Sequence, residues 1–247
     1  MSKYEEAYKD HFDSLDKSYA VIGRHITKLV SGVSNTPLIL EGPAGVGKTW
    51  MVKQFLKANN YPRDDMVAGK ITPLALYVAL YGLRSKGAVL ILDDTDTALE
   101  NIDALNIIKA ATDTTAIRTV SWQSSRPLPT IPQKFDTEGS LIILSNNTFT
   151  NRAKSRKAEH ITAIMSRSLH HAISDDTAQN KFIQLCYMVH RQGMLSDLAP
   201  SVVEELLTYL EINKDTFKQF DLRTAVKLSE LYKSNSEYWR DDADVLL

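Results

Sequence analysis

Apolar residues along the chain fall into two patterns, short unbroken runs and stripes that recur every three or four positions. Ala20–Val30 repeats at helical spacing and stops at Ser31-Gly32. Pro37-Leu38-Ile39-Leu40-Glu41 then reads as a buried strand, followed at once by a glycine-rich loop. Trp50–Ala58 predicts a helix closed by Asn59-Asn60 and the turn at Pro62. Leu74–Leu83 predicts another, with Pro73 in its first turn where a missing N–H costs nothing. Ala88-Val89-Leu90-Ile91-Leu92 is continuously apolar and ends in Asp93-Asp94, the pattern of a central parallel strand. Ile102, Leu105, Ile108 and Ala111 share a helix face. Ile117–Trp122 is β-prone and runs into a proline-rich turn, so residues 117–136 predict a hairpin insertion, and Leu141–Leu144 a further buried strand.

After about residue 174 the strand signal stops. Phe182, Leu185, Cys186 and Val189 make one helical stripe, and Val202, Val203, Leu206, Leu207 and Leu210 a second. Leu222, Ala225, Val226 and Tyr232 make a third. The expected fold is therefore α/β: an N-terminal helical segment with a parallel-sheet core over 1–173, then a small all-helical domain over 174–247.

Composition narrows the function classes. At 247 residues with 43% hydrophobic and 24% charged content, the chain has the make-up of an ordinary soluble globular protein. A formal net charge of −1 gives no global attraction to nucleic acid, so any such contact needs a local basic patch. The single cysteine, Cys186, rules out an internal disulfide and fits a reducing cytosol. Leu74–Leu80 and Ala88–Leu92 are too short to span a bilayer, and the N-terminus does not read as a signal peptide. A cytoplasmic protein without membrane contact is expected.

The chemistry is concentrated at Gly42-Pro43-Ala44-Gly45-Val46-Gly47-Lys48-Thr49. Gly-x-x-x-x-Gly-Lys-Thr between a strand and a helix is the phosphate-binding P-loop arrangement. Its glycines let backbone N–H groups curl around phosphates at a helix N-terminus that already favours anions. Lys48 supplies a point charge to the β- and γ-phosphates of ATP, and Thr49 a hydroxyl ligand to Mg²⁺. The second metal ligand should be a carboxylate at the end of a neighbouring apolar strand, where Asp93 stands. Asp94 can polarise an attacking water; Asp96 reads rather as a helix cap.

At this point the sequence resembles the AAA+ ATPases through most of its length. Gly42–Thr49 looks like Walker A and Val89–Asp94 like Walker B. Leu141–Asn147 looks like the sensor 1 strand, with Asn146 or Asn147 orienting the water. Ile164-Met165-Ser166-Arg167 is similar to the Ser-Arg element of clamp-loader and helicase-loader types, in which the arginine reaches a neighbouring subunit's ATP. Phe220-Asp221-Leu222-Arg223-Thr224 looks like sensor 2, with Arg223 touching the γ-phosphate from a helical lid. Val21-Ile22-Gly23 resembles the segment that packs against adenine. The resemblance, which extends to compact phage or viral members, implies Mg²⁺-dependent ATP hydrolysis at interfaces of a homo-oligomeric ring or open spiral. The family usually carries Glu after the Walker B Asp, so Asp94 implies ATP binding more firmly than fast hydrolysis.

Two segments could meet a substrate. In Gly69-Lys70-Ile71-Thr72, which AAA+ rings place towards their pore, Lys70 could hold phosphates and Ile71 could grip a polypeptide. Arg152-Ala153-Lys154-Ser155-Arg156-Lys157 is a compact basic run that could track a nucleic-acid backbone, and Arg118 and Arg126 in the hairpin are further cations. His170-His171 lacks a third ligand at metal spacing. The expectation is an ATPase acting on DNA or RNA, in replication or loading. A protein-remodelling enzyme with a protein partner, or a P-loop small-molecule kinase, are the alternatives.

Overall fold

A computed structural model describes residues 2–62, 65–126, 128–146, 155–173, 177–234 and 237–246. Helices α1 (Lys3–Ala7) and α2 (Lys9–Val30) precede strand β1 (Leu38–Glu41), helix α3 (Lys48–Ala58), strand β2 (Met66–Ala68) and helix α4 (Pro73–Gly82). Strand β3 (Val89–Asp93), helices α5 (Asp96–Glu100) and α6 (Ile102–Ala111), and strands β4 (Arg118–Ser121), β5 (Lys134–Thr137) and β6 (Ser140–Ser145) follow. Helix α7 (Arg156–Ser166) and strand β7 (Leu169–Ala172) lead to helices α8 (Ala178–Gln192), α9 (Pro200–Asn213), α10 (Leu222–Ser234) and α11 (Trp239–Ala243).

Five strands form one parallel sheet in the order β2-β3-β6-β1-β7. Every residue of β1, β3 and β6 is buried, which is why these strands are continuous apolar runs and not alternating ones. Full burial of each Leu or Ile contributes roughly 1.5–3 kcal/mol, so these runs add substantially to the core's stability. By contrast β4 and β5 pair antiparallel and alternate buried with exposed, the signature of a hairpin with one face on the core. The hairpin expected over 117–136 is this pair.

The first long helix starts earlier than the periodicity of Ala20–Val30 indicated. It begins at Lys9, and Phe12, Tyr19, Ile22, Ile26 and Leu29 are its buried apolar side chains. Charged residues crowd Lys9–Lys17 and hide the apolar stripe, although Phe12 and Tyr19 lie seven residues, two helical turns, apart.

The chain divides into two compact units, residues 1–20, 43–47 and 174–247 in one and residues 21–42 and 48–173 in the other. The first unit holds helices from both chain ends, so the N-terminal residues that the sequence grouped with the core lie against the C-terminal helices. Aromatic contacts are the reason. Tyr4 meets Phe182 edge-on at 5.4 Å, and Phe12 meets Tyr187 at 5.4 Å. Tyr19 accepts from Gln184 Nε2 at 2.9 Å in the same layer. Further along, Tyr209 packs against Trp239 at 5.1 Å. Among the described residues no helix is long and apolar enough to cross a membrane.

Candidate active site

In the second unit the sheet order brings three strand ends together. β6 lies between β1 and β3, with Glu41 opposite Ser145 and Asp93 opposite Leu144. Residues just beyond these ends therefore converge at the carboxyl edge of the sheet, where ligands bind in open α/β folds. Lys48, at the start of α3 and 5% exposed, donates from Nζ to the carbonyl of Gly42 and to Asn146 Oδ1, both at 2.8 Å. Asn146 in turn donates from Nδ2 to Asp94 Oδ1 at 2.6 Å. Thr49 donates from Oγ1 to Asp93 Oδ2 at 2.9 Å, and Asp93 is buried. Three stretches remote in sequence, Lys48-Thr49, Asp93-Asp94 and Asn146, are thus joined by hydrogen bonds.

Asp94 adopts a left-handed backbone conformation with φ of 49°. Aspartate tolerates that region better than most side chains, and the turn presents its carboxylate to Asn146. Asp96 is the first residue of α5 and not its cap; its carboxylate accepts from Ser145 Oγ at 3.2 Å. Sequence reasoning gave Ser145 no role, since a serine closing a buried strand carries no distinctive spacing.

The crown of the glycine loop belongs to the first unit, where it touches α10. Leu222 N–H donates to the carbonyl of Gly45 at 3.1 Å. Gly45 has φ of 79°, and the Asp221 carboxyl fills the space a β-carbon there would need. Gly47 has φ of 89° and would bring a β-carbon to 2.9 Å from Leu222 Cδ1. Both glycines are required by conformation and by close approach. Asp221 is buried and caps α10, accepting at Oδ1 from the N–H groups of Arg223 at 2.8 Å and Thr224 at 3.2 Å. An aspartate ahead of an apolar stripe is a recognisable cap signal, and here it also marks the loop-contacting helix end. Arg223 itself is exposed on the first turn of α10. Within the loop Val46 is buried and Ala44 exposed.

Other expected residues lie elsewhere. Arg167 follows α7 and donates from Nη1 to the carbonyl of Lys109 at 3.0 Å, with Asp113 at 4.0 Å. Val21 and Ile22 are inside α2; Val21 is 43% exposed, but Ile22 is 1% exposed and is a core side chain. Ile71 is buried, so it is not the exposed grip expected of the 69–72 loop, because it packs into an apolar core cluster. Lys70 beside it is exposed, and Thr72 caps α4. Arg118 is also corrected: it is 1% exposed and bonded to the carbonyls of Asn35, Ala111 and Gly139. Burial lowers its pKa to about 10, which still leaves it charged at neutral pH. In the basic run, Lys157 pairs with Glu100 and Ser155 caps α7, while Arg156 is exposed. Arg152, Ala153 and Lys154, and the alternative sensor Asn147, lie outside the described residues. His170 is paired with the Glu41 carboxylate at 2.9 Å.

The donor set fits a magnesium ion. Thr49 Oγ1 and Asp93 Oδ2 are adjacent oxygens that could both face a cation, and Mg²⁺ takes one or two protein oxygens, completing its shell with phosphate and water. Among the described residues no group of three or more His, Cys, Asp or Glu side chains could hold a metal alone.

No protein-family model matches the chain. It is 25% identical over 253 aligned positions to an uncharacterized 36.7 kDa protein from the nrdC-mobD intergenic region of Enterobacteria phage T4, covering 98% of this chain and 77% of that one. In three dimensions it is similar to domain III of the replication initiation protein DnaA from Thermotoga maritima. That match has a TM-score of 0.51 at 14% identity and covers 90% of this chain and 85% of the other, a likeness of fold.

Proposed function

We propose that this chain is a Mg²⁺-dependent AAA+ ATPase that couples ATP to a DNA or RNA transaction in replication or loading. The observation that carries the reading is the convergence of Lys48, Thr49, Asp93, Asp94 and Asn146 at the strand ends beside a Gly-x-x-x-x-Gly-Lys-Thr loop. Lys48 holds the β- and γ-phosphates, and the glycine-loop amides share their charge. Thr49 and Asp93 hold the metal, which supplies charge neutralisation on the phosphates when bound. Asp94 and Asn146, joined by their hydrogen bond, are the pair that orients and polarises the attacking water. Aspartate is one methylene shorter than the glutamate more usual here, and Asn146 extends its reach. Arg223, on the first turn of α10, joins this reading through its sensor 2-like motif alone.

Arg167 completes the site of a neighbouring copy in a cytoplasmic homo-oligomer; an arginine supplied in trans is worth roughly 10³–10⁵ in rate in other NTPases. Likeness of fold to a domain of a replication initiation protein supports a nucleic-acid substrate. Burial of Ile71 weighs against a polypeptide grip at that loop. The test is steady-state ATP hydrolysis with Mg²⁺, alone and with single-stranded DNA, duplex DNA and RNA. Turnover raised by a nucleic acid supports the reading. Turnover indifferent to all three but raised by a protein or a metabolite overturns the substrate class, and no Mg²⁺-dependent ATP binding overturns the ATPase.

A further inference from the structure

The β4–β5 hairpin and α6 border an open surface cavity of about 350 Å³ lined by Asp103, Asn106, Ile107, Ala110, Ser121, Trp122 and Gln123. That volume is at the lower end of small-ligand pockets, which span roughly 300–1,000 Å³. None of the ATP-site residues lines it. Its floor is apolar, with Ile107 buried and Ala110 half-buried. Trp122 is half-buried and 6.4 Å from the Tyr77 ring, and its backbone N–H donates to the carbonyl of Gln133 at 2.8 Å. The remaining wall is polar and exposed, with the Asn106 and Gln123 amides, the Ser121 hydroxyl and the Asp103 carboxylate.

An aromatic plane, an apolar floor and two amides that both donate and accept match the requirements of a flat heterocycle with a mixed hydrogen-bonding edge. Asp103 adds an acceptor without a donor, which favours a ring bearing an exocyclic amine and opposes a phosphate inside the cavity. A cation stands outside it. Lys134 is exposed and directly opposite Ser121 in the antiparallel pair, so both side chains leave the same face of the hairpin. A phosphate attached to a ring in the cavity would find its countercharge there.

We infer that this cavity binds one unpaired amino-bearing nucleobase, cytosine or adenine, with Trp122 as the stacking plane and Lys134 on the adjoining phosphate. The base comes from single-stranded nucleic acid or from a free nucleotide; the chemistry is shared. The inference stands apart from the ATP site and does not depend on its activity.

The test is titration of the full chain, without ATP, with oligo-dC, oligo-dA, oligo-dT and abasic oligonucleotides of equal length, and with cytidine monophosphate. Tryptophan fluorescence and anisotropy are read together. Oligo-dC should bind and quench, and the abasic chain should bind about tenfold more weakly. Asn106→Ala is the informative variant, because Asn106 is exposed on a helix where alanine keeps the fold. It should weaken oligo-dC by about tenfold and bring it close to oligo-dT, with the abasic chain unchanged. Trp122→Phe should fold and abolish the quenching even though Trp50 and Trp239 remain. Cytidine monophosphate binding as tightly as the oligonucleotide supports the pocket and makes the free nucleotide its ligand. Equal binding of oligo-dC and abasic chains, no binding by any probe, or Asn106→Ala and Trp122→Phe both behaving as wild type would overturn the inference.

Discussion

Asn146 donates to Asp94 across 2.6 Å while its own carbonyl oxygen accepts from Lys48, so one amide links the lysine of the glycine-rich loop to the acid after the buried Asp93. An asparagine suits that position because it offers a donor and an acceptor at once. Asn146→Asp replaces the donor with a charge facing Asp94. Single-turnover measurements should find ATP still bound and hydrolysis slowed by about 10²-fold, the scale of lost acid–base assistance. Unchanged single-turnover rates would remove Asn146 from the water-orienting pair.

Lys48→Ala should abolish tight ATP binding or turnover and leave the protein folded. Its loss breaks hydrogen bonds to Gly42 and Asn146, which costs about 1–3 kcal/mol, a modest fall in melting temperature. Wild-type ATPase in that variant would sink the P-loop assignment.

The two acids should separate by phenotype. Asp93→Asn should weaken Mg²⁺-dependent ATP binding, because Asp93 and Thr49 are the two oxygens proposed to hold the metal, whereas Asp94→Asn should leave ATP bound and slow hydrolysis. Equilibrium binding of a fluorescent ATP analogue as a function of Mg²⁺, alongside turnover, distinguishes them. Equal mild effects would mean neither carboxylate does this chemistry.

Arg167→Ala should bind ATP almost normally and hydrolyse it poorly, and mixing it with Lys48→Ala should restore partial activity, since each protein carries the part the other lacks. Its bond to the Lys109 carbonyl makes only a small stability loss, about 1 kcal/mol. Specific activity that stays flat down to concentrations where the protein is monomeric would rule out the shared site.

Arg118→Ala should destabilise the fold by about 3 kcal/mol, because three carbonyls around a buried guanidinium lose their donor together. Thermal or urea unfolding measures this directly. Arg118→Lys should recover only part of it, since a single ammonium cannot reproduce the forked geometry.

The sequence by itself determined the local units of this protein. The strand-loop-helix from Leu38 to Ala58 and the apolar run ending at Asp93 are legible because a P-loop and a doubly buried parallel strand are written in consecutive residues. The β4–β5 hairpin and the helical stripes beyond residue 177 are legible for the same reason of short-range period. Non-local pairing decided the rest. Only the strand order sets β6 between β1 and β3 and so brings Asn146 to Lys48, residues 98 apart in the chain. Only packing shows Arg118 and Ile71 to be interior, since neither an arginine in a hairpin nor an isoleucine in a loop announces its burial. Residues 1–20 join the C-terminal helices through aromatic contacts that no local spacing encodes, because edge-on ring packing depends on which surfaces meet after the chain has folded.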